Sequence, residues 1–330
     1  MRRRALLHVL AILLSSVVLC SCELAYKAPE VGRMNILVYG NDYAGTSNKL
    51  TKTINDAVQV GNALVKLCEK AGRGYDITYL IGPSTSYNSS ALIEDSVIND
   101  VSTNMLLNTL NSLASSESAN ETDITIFYFS GHGKSDVFNH HYLNDPLSYA
   151  TTTNSFTYLL TNETSLYGSD YELLRIDTLQ TKISAIPGTK VIFSDFCFSG
   201  ALVQSDYVSI TSGEYSDMGI TDLYRERDRI NDVANSLNLS SIFYLTAARY
   251  NQESYEIPDR FNIDHGYFTK ALLDALGWDE DSKSLTTAEA ERNGRITLFN
   301  VAKYCIENDD NAKQTPMLSG GSNDVILFSF

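Results

Sequence analysis

Two apolar runs that end in the same kind of turn constrain this chain more than any other feature. They are FYFSGHG at residues 127–133 and VIFSDFCFSG at residues 191–200. Both are rich in β-branched and aromatic residues, the pattern of a buried strand. Each closes on small residues that carry one reactive side chain, His132 in the first and Cys197 in the second. An imidazole and a thiol at the ends of two core strands are the parts of a nucleophilic cysteine site.

The flanking sequence supplies the rest of an α/β fold. Strand-like runs fall at 34–39, 76–81, 124–129, 191–194, 241–247 and 325–330. Helical spacing fills 54–68, 105–114, 176–186, 267–276 and 298–307. Strands separated by helices predict a mostly parallel central sheet of about six strands, with right-handed crossovers and helices on both faces. Ligands of such sheets sit beyond the carboxyl ends of the strands, where His132 and Cys197 both fall. Two polar stretches, 134–170 and 204–239, are too long for ordinary connections and point to function or mobility.

Composition narrows the chemistry. The formal charge of −15 argues against nucleic-acid binding by phosphate neutralisation. Of the five histidines, His132 alone stands between two glycines at a strand end; no HxxxH or CxxC spacing suggests a metal centre. Glycines on either side predict close backbone approach and an exposed Gly133 N–H. Cys68 and Cys305 read as buried small hydrophobes, with a bridge between them left open. At the other end of the chain, Arg2, Arg3 and Arg4 precede an apolar run from Ala5 to Leu19, too short for the ~20 residues that span a bilayer. The run ends Leu19-Cys20-Ser21-Cys22 and resembles a bacterial lipoprotein signal. Residues 1–21 are then a signal peptide, Cys22 the acylated first residue of the mature protein, 22–33 a tether and 34–330 the folded domain. This predicts an exported protein, lipid-anchored to a membrane of the cell envelope.

The two motifs, in this order, resemble the caspase-like peptidase family of caspases, metacaspases and their bacterial relatives. The resemblance also covers ILVYGNDY (36–43), INDA (54–57), YDITYLIG (75–82), FYLTAARYNQESYE (243–256), HGYFTKALLDAL (265–276) and QTP (314–316). The His-to-Cys separation is somewhat longer than the roughly 50 residues of caspases. The resemblance implies a caspase-like three-layer sandwich and a thiol endopeptidase. Cys197 would be the nucleophile, His132 the proton-transfer group, and the N–H groups of Gly133 and Cys197 the oxyanion hole. No third member of a triad is evident, and the chemistry requires no cofactor.

The resemblance also implies specificity. Asp195 and Asp56 match positions that line an acidic S1 pocket for Arg or Lys in metacaspases, so the expected partners are basic-P1 peptides. Without the family, Thr53-Ile54-Asn55-Asp56 reads as a capping box opening the first helix. Asp195 has no such alternative, because an unpaired carboxylate in a core strand is costly. Phe198 departs from the usual His after the nucleophile, and Lys134 from a small residue after GHG. Calcium dependence is open: Asp206, Asp217 and Asp222 match no recognisable site. Arg225, Arg227 and Arg229 offer basic self-cleavage positions in the loop after the nucleophile. The competing reading is an inactive caspase-like surface lipoprotein that serves as a binding module.

Overall fold

The strands pack as a layer buried on both sides. A computed structural model describes residues 32–82, 92–93, 96–135, 157–163, 171–203, 241–319 and 325–330. The N-terminal signal with Cys22, and Arg225, Arg227 and Arg229, lie outside the described residues. Strands β1 (Met34–Gly40), β2 (Tyr75–Ile81), β3 (Val97–Ile98), β4 (Ile124–Ser130), β8 (Thr189–Asp195), β9 (Ile242–Thr246) and β14 (Met317–Leu318) form the central sheet. Its order is β14-β9-β8-β4-β1-β2-β3. All neighbours pair in parallel except β14, which runs antiparallel to β9. The sheet therefore has seven strands, one more than expected, because the two-residue pairings β3 and β14 join it while the expected final strand at 325–330 does not.

Alternate residues of each strand feed opposite cores. Ile36, Val38, Ile126, Tyr128, Val191 and Phe193 join the core under α1 (Thr53–Lys70), α4 (Tyr267–Leu276) and α5 (Leu298–Asn308). Leu37, Tyr39, Phe127, Phe129 and Ile192 join the core under α2 (Thr103–Ala114) and α3 (Ile176–Ser184). A strand covered on both faces needs apolar residues at every position, which is why these runs lack alternation. At roughly 25 cal/mol per Å² of apolar surface, each large side chain here contributes about 1.5–3 kcal/mol.

Three smaller sheets flank the centre. The segment 134–170, read as a polar stretch too long for an ordinary connection, contributes to an antiparallel sheet of β5 (Gly133–Ser135), β6 (Thr157–Glu163) and β7 (Tyr171–Arg175). The expected final strand, β15 (Ile326–Ser329), lies outside the central sheet, beside β12 (Glu291–Arg292) and β13 (Arg295–Thr297). A hairpin joins β10 (Trp278–Asp279) to β11 (Ser284–Leu285). Cys68 and Cys305 are buried and unbridged. No helix among the described residues is long and apolar enough to cross a membrane.

Candidate active site

Strand register brings the two motifs level. Gly40 pairs with Ser130, and Ser130 with Asp195, so β1, β4 and β8 end on one line. His132 and Cys197 each lie two residues past that line. The sheet order also reverses between β1 and β4, the switch point at which crevices open beyond strand ends. The two turns touch: a Cβ on Gly133 would fall 2.1 Å from the Cys197 carbonyl oxygen. The close approach expected of these glycines is thus to the neighbouring turn of the protein itself. In the β5–β6 ladder, Gly133 faces Leu159 while the Leu160 N–H donates to the His132 carbonyl, 3.0 Å. That pattern makes Gly133–Leu159 a non-bonded pair, leaving the Gly133 N–H outside the ladder.

The loop after β1 holds His132. The His132 Nε2 lies 2.6 Å from the Asn48 carbonyl oxygen. A carbonyl only accepts, so Nε2 carries the proton, and in the neutral ring Nδ1 keeps its lone pair. The Tyr43 ring packs against the imidazole, with centroids 4.6 Å apart. Its hydroxyl accepts from the His132 N–H at 2.8 Å and donates to the Leu160 carbonyl at 2.6 Å. Tyr43 sits at φ +53°, an uncommon value for a bulky residue, with its N–H donating to the Asn41 side chain. Neither Tyr43 nor Asn48 stood out in the sequence as a functional position; a backbone carbonyl leaves no residue-type signature at all.

Cys197 is partly buried, and its Sγ lies 3.8 Å from the Ser254 carbonyl oxygen. Burial pushes its thiol up to about 11, and the charges of Glu253 and Asp195 add to the shift. Phe198, flagged above as a departure, adopts φ +66° and donates its N–H to the Gln252 carbonyl at 2.7 Å. The turn after the nucleophile thus carries backbone strain, the kind that surrounding structure must hold in place.

Beneath the two turns, on the α1–α4 side of the sheet, two carboxylates converge. Asp195 accepts from the Ser254 hydroxyl and from the Thr269 hydroxyl at 2.6 Å. It is therefore partnered, as the cost of an unpaired strand carboxylate demands, but by neutral donors. Burial raises its pKa, and those hydrogen bonds pull the other way. Asp56 does not build a capping box. The helix begins with Lys52 at the cap, and the Thr53 hydroxyl donates to the Asn41 carbonyl. The Asp56 side chain turns into the core, where it accepts from Ser130 at 3.3 Å, the Gly266 N–H at 3.3 Å and His265 Nδ1 at 2.8 Å. Both carboxylates flank Gly266: a Cβ there would sit 2.6 Å from Asp195 Oδ2 and 3.5 Å from Asp56 Oδ2. His265 is buried, and its Nε2 lies 3.1 Å from Glu280. In the sequence it stands out only as the first residue of the family-resembling stretch 265–276. Among the described residues, no cluster of three His, Cys, Asp or Glu is arranged to hold a metal ion.

The family model described as the caspase domain matches residues 33–325. Similar solved structures include a protein from Geobacter sulfurreducens at 17% identity, covering 90% of this chain and 97% of that one, with a TM-score of 0.49. They also include caspase-1 from Spodoptera frugiperda at 13% identity, covering 91% and 92%, with a TM-score of 0.46. No curated protein sequence matches the chain.

Proposed function

Because this chain belongs to the caspase domain family, we propose that it is a cysteine endopeptidase that cuts after Arg or Lys through a Cys197–His132 dyad. The observation that supports the reading is the contact between the turn that carries Cys197 and the turn that carries His132, whose ring is oriented by the Asn48 carbonyl. His132 Nδ1 takes the thiol proton as sulfur attacks the scissile carbonyl, then returns it to the leaving amine. The N–H groups of Gly133 and Cys197 face the oxyanion. Water then hydrolyses the thioester, regenerating the thiol.

The basic-P1 assignment is supported by the convergence of Asp56 and Asp195 beneath the nucleophile. A guanidinium forks onto such a pair and replaces two buried charges' lost hydration with charge-assisted hydrogen bonds. The test is a fluorogenic P1 scan of the domain, with and without calcium, alongside labelling by an Arg-P1 chloromethylketone. Cleavage after Arg or Lys with label on Cys197 is the expected result. Faster cleavage after Asp than after Arg defeats the pocket assignment.

One observation favours the inactive binding-module reading: the resting thiol is pushed up to about 11. Failure of the ketone to label a folded protein decides for that reading. The proposed protein is exported and anchored through acylated Cys22, on the sequence pattern alone; two or more acyl chains make such an anchor stable. Cys22→Ser should release it to the aqueous phase, and wild type recovered only there contradicts the anchor.

A further inference from the structure

One of the two converging carboxylates already has a histidine partner. Both ring nitrogens of the buried His265 lie within hydrogen-bond distance of carboxylate oxygens, Nδ1 at 2.8 Å from Asp56 and Nε2 at 3.1 Å from Glu280. An imidazole between two ionised carboxylates carries a proton on each nitrogen, which makes it an imidazolium. Glu280 is fixed from outside by the Asn55 side-chain amide at 3.4 Å. The contacts thus form a chain from Glu280 through His265 to Asp56, which flanks Gly266 together with Asp195.

We propose that His265 is a positioning residue for P1 selection: it keeps Asp56 ionised in a fully buried place beside Asp195, so that the pocket meets a basic side chain with two carboxylates. The inference rests on the basic-P1 reading above and deepens it.

The surrounding charges support this division of labour. From α1, Asp56 and Asn55 face the imidazole; from the β10–β11 hairpin, Glu280; from β8, Asp195 approaches across Gly266; from α4, Lys270 lies near Glu280 but pairs with Asp274. Glu256 bridges to Gly266 through its backbone and spends its carboxylate on Thr51 and Lys52. Lys52 pairs with Asp259 and Asp264. Among the described residues, His265 is therefore the cation that contacts Asp56. The partners of Asp195 are neutral, the hydroxyls of Ser254 and Thr269 and the Thr269 backbone, and a substrate cation is what completes it. Burial alone would lower His265, but the hydrogen bonds to Asp56 and Glu280 outweigh it and raise it to about 9. Burial and the Asp195 charge push Asp56 up to about 7, and His265 holds it from rising further.

The two carboxylates thus differ in kind. Asp195 supplies the unbalanced charge that attracts a P1 cation. Asp56 supplies a second ionised acceptor whose own charge is already offset. Without His265, Asp56 would take a proton at neutral pH and lose its charge-assisted bond to the substrate.

The test is His265→Gln in the full chain, assayed on an Arg-P1 peptide between pH 6 and 9.5. Gln retains one donor toward Asp56 and removes the charge. The expected result is a rise in KM of roughly tenfold near neutrality with kcat little changed. The pH at which KM improves should also move up by about one unit or more relative to wild type, as Asp56 ionises later. Asp56→Asn should add no further cost in the His265→Gln background. A KM profile superimposable on wild type overturns the inference. If the variant fails to fold, nitrogen-15 NMR of Cys197→Ala decides: both His265 nitrogens protonated at neutral pH supports the proposal, and a single-proton tautomer overturns it. Wild type that cuts no basic-P1 peptide defeats the functional reading instead, while the NMR result still reports the charge on His265.

Discussion

Replacing Tyr43 with Phe removes one buried oxygen and tests how His132 is held. The ring stays packed on the imidazole, so the packing term is unchanged. Two hydrogen bonds vanish, one from the His132 N–H at 2.8 Å and one to the Leu160 carbonyl at 2.6 Å. Tyr43 is 3% exposed, so water has poor access to the orphaned groups. Leaving a buried backbone group unpaired costs about 1–3 kcal/mol, and two together, with partial relaxation, about 2–4 kcal/mol. That is a large part of a typical stability of roughly 5–15 kcal/mol. The catalytic consequence is a loosened His132 main chain, and displacement of a reacting group by about 1 Å can cost on the order of a hundredfold. We expect kcat to fall roughly ten- to a hundredfold with KM nearly constant, because Tyr43 does not touch the acidic pocket. Urea unfolding in the Cys197→Ala background reads the stability, and an Arg-P1 peptide reads the rates. A stability loss under about 0.5 kcal/mol, with kcat within about twofold of wild type, would refute the argument.

Asp195→Ala should cost roughly ten- to a hundredfold in kcat/KM on an Arg-P1 peptide, from the loss of a charge-assisted contact worth about 1.5–3 kcal/mol; equal rates on Arg and uncharged P1 twins would contradict it. Gly266→Ala should raise KM for basic substrates while the chain still folds, since its Cβ would meet Asp195 Oδ2 at 2.6 Å; an unaltered KM would show that the carboxylate moves aside freely. His265 is raised to about 9 in the folded state, so its stabilising contribution is full below the unfolded value near 6.5 and is lost as pH rises through 9. Thermal midpoints should therefore fall between about pH 6.5 and 9.5, and a curve for His265→Gln that falls just as steeply would assign the loss elsewhere. Intact-mass analysis of active wild type beside Cys197→Ala should find fragments ending at Arg225, Arg227 or Arg229 in wild type alone; one uncut active species would end the self-processing idea.

What could be read from sequence follows what each position must bury. The core strands were legible because burial on both faces demands unbroken apolar runs, and β1, β2, β4, β8 and β9 all fall on the predicted segments. Two- and three-residue pairings such as β3, β5 and β14 carry no periodic signal. The helix opening at Thr53 looked like a capping box because its residue types fit one. Local pattern could not show that Thr53 bonds to Asn41, nor that Asp56 meets a histidine 209 residues away. His265 was passed over for the same reason: its role is created by partners from α1 and the β10–β11 hairpin. His132 and Cys197 were legible because glycine turns at strand ends advertise them, whereas Asn48 acts through a carbonyl that every residue possesses.

Ser254 links the pocket to the nucleophile. Its hydroxyl donates to Asp195, and its carbonyl lies 3.8 Å from the Cys197 sulfur. Asp195 also stands two residues before Cys197 and helps keep the thiol protonated. A cation seated on Asp195 offsets that charge, and the thiol then gives up its proton more readily. On the basic-P1 proposal, binding of the P1 side chain is then expected to ease loss of the thiol proton by the Asp195 share alone, while burial keeps the larger part of the rise. The consequence can be measured. A small neutral alkylator should label Cys197 slowly at neutral pH, its rate rising about tenfold per pH unit toward the thiol's value of about 11. Filling the pocket with a small guanidinium compound should speed that labelling, although a competitive ligand would ordinarily slow it. Slower labelling with the guanidinium present would separate the two halves of the site and remove the link through Ser254.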